Sequence, residues 1–223
     1  MLLECITEFV QEKTTQRTVN TYKGKLLVKR EEYQLEDSIT TEYVYDDQSR
    51  LTEELENDSD GNLLRTLEID NNTRVRIETY YEDEGLVRAR MTTLFDENGN
   101  TTKQTEDDDY ITTYKYNDQN KLINIIITED GKTTLNEDYF YNDEGLEIRS
   151  LGVDHNVDTT IEILRSFNEN KQLVKEEQFS NGELEFLFEK KYNEHGHLVH
   201  EKKSEFDQGQ QATTEFIYDI EYY

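Results

Sequence analysis

One recurring element limits what this chain can fold into more than any other feature. An aromatic residue is followed by an acidic residue or Asn, by further small polar residues, and in most copies by Leu. It reads YDDQSRL at 45–51, FDENGNT at 95–101, YNDQNKL at 116–122, YNDEGLE at 141–147 and YNEHGHL at 192–198. Taking the aromatic as an anchor, the copies start at Tyr45, Tyr81, Phe95, Tyr116, Tyr141, Phe167 and Tyr192, with Tyr218 opening another. From Tyr116 onward the spacings, by subtraction, are 25, 26, 25 and 26 residues. A fixed period of this size signals a stacked array of one supersecondary unit. The N-terminal part is less even. Tyr45 and Tyr81 lie 36 residues apart, an aromatic-free copy (NDSDGNLL, 57–64) falls between them, and Tyr22 in TYKGKLL opens a degenerate first unit.

Each unit reads as strand, turn, strand, turn. Segments before the anchor, such as TTYKY and TTLF, are rich in Thr, Tyr, Phe, Ile and Val, which suit a pleated, half-buried surface. The Asn/Asp-rich turn follows, where Asx side chains bond their own backbone and Gly or Asn accepts positive φ. A return strand such as KLINIIITE ends in a second turn type: EDGKT at 129–133, SNGE at 180–183 or DNNT at 70–73. No long segment carries apolar residues at three- and four-residue spacing. At the N-terminus, Leu2, Leu3, Ile6, Phe9 and Val10 fit a short helix, while Leu3, Cys5 and Phe9 fit a strand; the strand is preferred. The expectation is an all-β chain of about 16 strands. It is an elongated antiparallel β-meander of hairpin repeats forming a twisted or curled open sheet. Residues 1–223 are read as one continuous repeat domain, with 1–21 as an N-terminal cap and 22–223 as the repeats.

Composition agrees with a thin core. Hydrophobic residues make up 33%, below the roughly 45–50% usual for globular domains. Low hydrophobicity with high charge often signals disorder, but 15 Tyr, 9 Phe and no Pro argue for folding. Lys and Arg number 24 against 51 Asp and Glu, so the net charge is −27. That charge disfavours nucleic acid and anionic membranes and favours basic partners. A single cysteine, Cys5, leaves no intramolecular disulfide. The start MLLECITEFV lacks a basic region and a long apolar run, which points to a cytoplasmic protein. The apolar run LINIII at 122–127 is too short to cross a membrane as a helix.

The pattern Tyr-x-Tyr-[Asn/Asp]-x-x-Gly-x-Leu, best carried by YVYDDQSRLTEE (43–54) and YKYNDQNKLINI (114–125), resembles the YD repeats of Rhs proteins. Both copies place Ser or Asn where the pattern has Gly. The segment FSNGELEFLFEKKYNEHGHLVHEKK (179–203) is similar to the MORN-type repeats of a class of bacterial antitoxins, whose Gly–Tyr spacing is shorter. The resemblance implies a β-repeat binding scaffold and a connection to bacterial toxins.

Several residue groups invite chemistry. Asp58, Asp60 and Gly61 in ENDSDGN form a fragment of a calcium loop. Its twelfth position is Leu67 where Glu is required, so a plain turn is the better reading. DENGN at 96–100 is a similar fragment. His195, His197 and His200, with Glu194 or Glu201, are conceivable metal ligands. His195 falls in a turn, and His197 and His200, three apart, fall on opposite faces of a strand. Cys5 reads as a small apolar residue, and the NNT sequon at 71–73 as a chance match in a turn. No nucleophile, zincin or phosphate-loop motif occurs, so neither an enzyme nor a cofactor is expected. The densest charge run, Glu106, Asp107, Asp108 and Asp109, reads either as a solvated hairpin end or as an acidic prong for a basic partner. The functional expectation is an immunity protein or antitoxin whose acidic surface occludes the active site of a basic toxin. The alternative is a structural or cell-surface repeat module, with or without bound calcium.

Overall fold

The computed structural model describes residues 2–11, 14–34, 37–207 and 210–218, the side chains of 2–16, 83 and 207 excepted. The chain divides into two compact units, Met1–Ile111 and Thr112–Tyr223. The first contains β1 (Leu2–Gln11), β2 (Thr14–Lys23), β3 (Leu26–Gln34), β4 (Asp37–Tyr45), β5 (Leu51–Asn57), β6 (Leu63–Asp70), β7 (Val75–Tyr81), β8 (Val87–Phe95) and β9 (Thr101–Glu106). Strand β10 (Tyr110–Tyr116) spans the division. The second unit continues with β11 (Leu122–Glu129), β12 (Lys132–Tyr141), β13 (Glu147–Asp154), β14 (Thr159–Phe167), β15 (Leu173–Ser180), β16 (Glu183–Tyr192), β17 (Leu198–Asp207) and β18 (Gln210–Ile217). Among the described residues that is eighteen strands, two more than expected, and the only helical piece is a 3-10 turn at Asp83–Gly85.

Within each unit every strand pairs antiparallel with the next, from β1 to β9 and from β11 to β18. The fold is therefore all-β, an open meander. The N-terminal segment is a strand, with Leu3 opposite Tyr22 and Phe9 opposite Gln16.

The anchors share a backbone role. Register shifts fall between Val44 and Tyr45, Leu94 and Phe95, Phe140 and Tyr141, Ser166 and Phe167, and Lys191 and Tyr192. The same bulge occurs at Tyr22 and at Asn57, the aromatic-free copy. A bulge adds one residue to one strand and increases local twist. The anchor is thus the place where each repeat turns.

The uneven N-terminal spacing has a geometric cause. Successive turns of an antiparallel meander alternate between opposite ends of the strands. The turns after Tyr45 and Phe95 lie at one end, and those after Asn57 and Tyr81 lie at the other. Tyr45 to Phe95 is 95 − 45 = 50 residues, two periods of 25, with the Asp70–Val75 turn midway at the same end. The interval of 36 compares opposite ends of the sheet.

Burial is shallow. Among described hydrophobic residues only Val19 and Leu67 are buried, alongside the small hydroxyl residues Thr41, Thr66, Thr79, Thr93, Thr112, Ser150 and Ser204. Strands pack here mainly through neighbours on the same face. Glu54, Leu67 and Glu78 pair in a row across β5, β6 and β7. Arg65, on the same face as Leu67, reaches Glu54 at 2.8 Å and Glu78 at 3.4 Å. Its guanidinium bridges the two carboxylates that flank Leu67, whose own exposure is 3%.

Candidate functional site

The repeated turn is built by its first residue. Asp46, Asp58, Asp96, Asn117, Asn142, Asn168 and Asn193 each accept, through one side-chain oxygen, the N–H groups two and four residues ahead. The fourth residue takes the left-handed conformation. Gly99 and Gly145 do so freely, whereas Ser49, Asn120 and Lys171 bear it at φ of 63°, 65° and 63°. These bonds hold the Asp46, Asp58 and Asp96 carboxyls below the ordinary aspartate range. The chief donors are the Arg50 backbone for Asp46, the Asn62 side chain for Asp58 and the Asn100 side chain for Asp96.

The repeats are also stitched to each other. Tyr45, Tyr141 and Tyr192 donate their hydroxyls to the carbonyls of Leu27, Leu122 and Leu173, at 2.8, 2.7 and 3.0 Å. Each of those leucines lies at the start of a return strand one repeat earlier, as the first residue of β11 and of β15 and the second of β3. Gln172 donates to the Gly196 carbonyl at 2.7 Å, and Lys121 makes the equivalent bond to the Gly145 carbonyl.

The residues singled out for chemistry fall into this scaffold. Asp58 spends both carboxylate oxygens on Asp60 and Asn62 donors, and Asp96 does the same with Asn98 and Asn100. His195 and His197 both lie in the turn after Tyr192, with ring centroids 6.5 Å apart. The expectation that His197 and His200 share one strand is corrected here: the loop after Tyr192 is five residues long, so β17 starts only at Leu198. His200 sits on β17 beside Glu215 at 3.8 Å. No three His, Cys, Asp or Glu side chains among the described residues are gathered to hold a metal ion. The Cys5 side chain lies outside the described residues, although its backbone is in β1. Asn71 of the sequon directs its amide to the Leu51 carbonyl at 3.0 Å.

The acidic run occupies the end of the β9–β10 segment. Glu106 is the last residue of β9, and Asp107 to Asp109 form the turn, all exposed. Asp107 and Asp108 are left-handed, at φ of 46° and 64°. Asp107 is part of the framework: its N–H donates to the Arg90 carbonyl at 3.0 Å, and its carboxylate accepts the Arg90 N–H at 2.8 Å. An open crevice of about 400 Å³ is lined by Arg90, Thr92, Thr105, Asp107 and Asp108.

Two features at the surface were not read from the sequence. One is the pairing of strand-face cations by several carboxylates: Arg65 with Glu54, Glu56 and Glu78, and Arg165 with Glu147 and Glu176. The other is an exposed apolar pair, Leu86 and Val87, at 64% and 60% exposure. The departure of EDEGLV (82–87) from the Asx-initiated copies was the available signal.

No protein-family profile matches the chain, and no curated protein matches it. Among solved structures it is similar to the crystal structure of TcdB2-TccC3-TEV, at TM-score 0.49 and 12% identity over 85% of this chain. It is similar also to that of TcdB2-TccC3-Cdc42, at TM-score 0.48 and 13% identity over 95% of this chain. It spans only 12% and 14% of those two chains. A porin-like protein from Bacteroides uniformis ATCC 8492 is similar at TM-score 0.43 and 13% identity, covering 96% of this chain and 94% of that one. These are coarse likenesses. The chain's own turns and pairing define its class: a β-repeat scaffold of Asx-turn hairpins in open antiparallel meanders.

Proposed function

We infer that this chain is a non-enzymatic binding protein that neutralises a basic protein partner, as an immunity protein or antitoxin neutralises a toxin. The observation that supports this most is the charge left after internal pairing. Acidic residues exceed Lys and Arg by 51 − 24 = 27. Arg65 and Arg165, among the more enclosed strand cations, are each shared by at least two carboxylates. The unpaired acidic residues therefore dominate the field outside the molecule. Such a field steers a basic partner and raises its association rate. The hairpin end Glu106–Asp109 is a concentrated part of that surface. Against a nuclease, its carboxylates would take the place of substrate phosphates.

The test is co-expression with the protein encoded by the adjacent gene, combined with binding of the two purified proteins. Expected are rescue of growth and an association rate that falls steeply between 50 and 500 mM salt, by about tenfold or more. A neighbour that is harmless alone, or a complex that does not form, removes the reading. Replacing Glu106, Asp108 and Asp109 with Asn or Gln lowers the association rate and does not lower the melting temperature; Asp107 is spared because it bonds Arg90.

A further inference from the structure

Eight copies of the five-residue turn can be compared within this one chain. The fifth turn residue is followed by the first residue of the return strand. In seven copies that strand residue is half-buried: Leu51, Leu63, Thr101, Leu122, Glu147, Leu173 and Leu198. In the eighth it is Val87, exposed at 60%, next to Leu86 at 64%. Leu146 occupies the same turn position as Leu86 and is half-buried. The local sequence therefore does not by itself dictate exposure of a leucine there.

The cause lies in the neighbouring strand. Strand β8 pairs with β9 only from Met91 to Phe95, and Asp107 extends the ladder to Arg90. On the β7 side, pairing runs on to Tyr81 and Val87. The β7–β8 hairpin therefore projects beyond the β9 turn by three residues, Val87 to Ala89, roughly 10 Å of strand. The same hairpin also breaks the repeat's own rule. Glu82 replaces the Asx residue and makes no side-chain cap, and Glu84 sits in the left-handed region at φ 66°. The turn that is least optimised for folding is the one that presents two aliphatic side chains to solvent.

The charge around it is mainly but not wholly acidic, since Arg88 and Arg90 are exposed on β8 itself. Glu82 and Glu84 are on the finger itself, and Glu106 to Asp109 lie at the end of β9, beside the finger's base at Arg90 and three residues short of Val87. An apolar centre with a charged rim is the anatomy of a protein interface.

We propose that the tip of the β7–β8 hairpin is a docking finger: Leu86 and Val87 enter an apolar pocket on a basic-rimmed protein, and the surrounding carboxylates meet that rim. This names the contact for the binding role above and rests on that reading. The occupant is a basic protein by charge complementarity, since a second copy would bring its own charge of −27 against this one.

The experiment uses the full chain and the purified product of the adjacent gene. The double variant L86S/V87S should raise Kd by about 30-fold or more, mostly through faster dissociation. Its melting temperature should stay within about 2 °C of the wild type, because both side chains are already exposed. Val157→Ser removes a similarly exposed valine from the β13–β14 turn and should leave Kd unchanged. If the wild type binds and L86S/V87S binds equally well, the finger is overturned while the binding role stands. If the wild type does not bind, both fall together. A concentration-dependent dimer of the wild type that L86S/V87S abolishes would assign the finger to a second copy and overturn the proposal.

Discussion

At the scale of single residues, this chain replaces a thick apolar core with side chains that satisfy each other locally. Arg65 shows how. A guanidinium that is largely out of water is tolerable because three carboxylates surround it, and removing one partner would leave charge poorly compensated. The anchor tyrosines act more gently. Tyr141 half-buries its ring and passes its hydroxyl to the Leu122 carbonyl at 2.7 Å, tying one repeat to the one before. Phe95 and Phe167 occupy the same position without a hydroxyl, so the fold does not require the bond at every copy. Tyr141→Phe should therefore fold normally and lose about 1 kcal/mol, the usual net worth of one hydrogen bond. Denaturant unfolding with an unchanged m-value measures it. A loss beyond about 3 kcal/mol would mean the hydroxyl holds more than this bond.

At the scale of the turn, the two units use different chemistry for the same geometry. The capped turns of the first unit start with Asp46, Asp58 and Asp96, and those of the second with Asn117, Asn142, Asn168 and Asn193. The aspartates have folded-state pKa values lowered from 3.8 by the N–H groups they accept. A lowered pKa contributes stability that is present above the unfolded value and lost as pH falls through the folded one. As pH falls below the ordinary aspartate range the first unit should lose amide-exchange protection through these turns, whereas the asparagine turns do not titrate. The triple variant D46N/D58N/D96N should flatten that acid dependence while keeping the hairpins, since Asn already makes the same bonds elsewhere. An unchanged acid slope in the triple variant would show that other carboxylates set it.

These turns were the most legible part of the molecule, because an Asx turn is decided by residues four apart. The ends of the strands they occupy were not, since the 36-residue interval from Tyr45 to Tyr81 becomes intelligible only once the meander's alternation is known. Exposure of Leu86 and Val87 was further out of reach. It depends on where β9 stops, more than ten residues away in sequence. The ion pairing around Arg65 was hidden for the same reason, since Glu54, Arg65 and Glu78 meet only through strand register. The acidic run at 106–109 was visible as charge, but the bonding of Asp107 to Arg90 was not.

At the scale of the whole molecule, the charge of −27 and the paired cations respond to salt in opposite directions, and magnitudes decide between them. Ion pairs such as Arg149–Glu162 at 2.6 Å and Arg165–Glu176 at 2.7 Å lie far inside the Debye length, which is about 10 Å at 0.1 M salt. Screening weakens such partly enclosed pairs only slightly. The excess carboxylates repel over longer distances, on the scale that salt screens best. Added salt should therefore remove more repulsion than attraction and stabilise the folded state. The melting temperature should rise by several degrees, roughly 3–8 °C, between 20 and 300 mM sodium chloride, equivalent to about 1–2 kcal/mol for a chain of this size. The same range of salt slows association with a basic partner, so stability and binding rate should move in opposite directions along one titration. A melting temperature that falls with salt would show that local pairs, and not net repulsion, dominate the electrostatics of this chain.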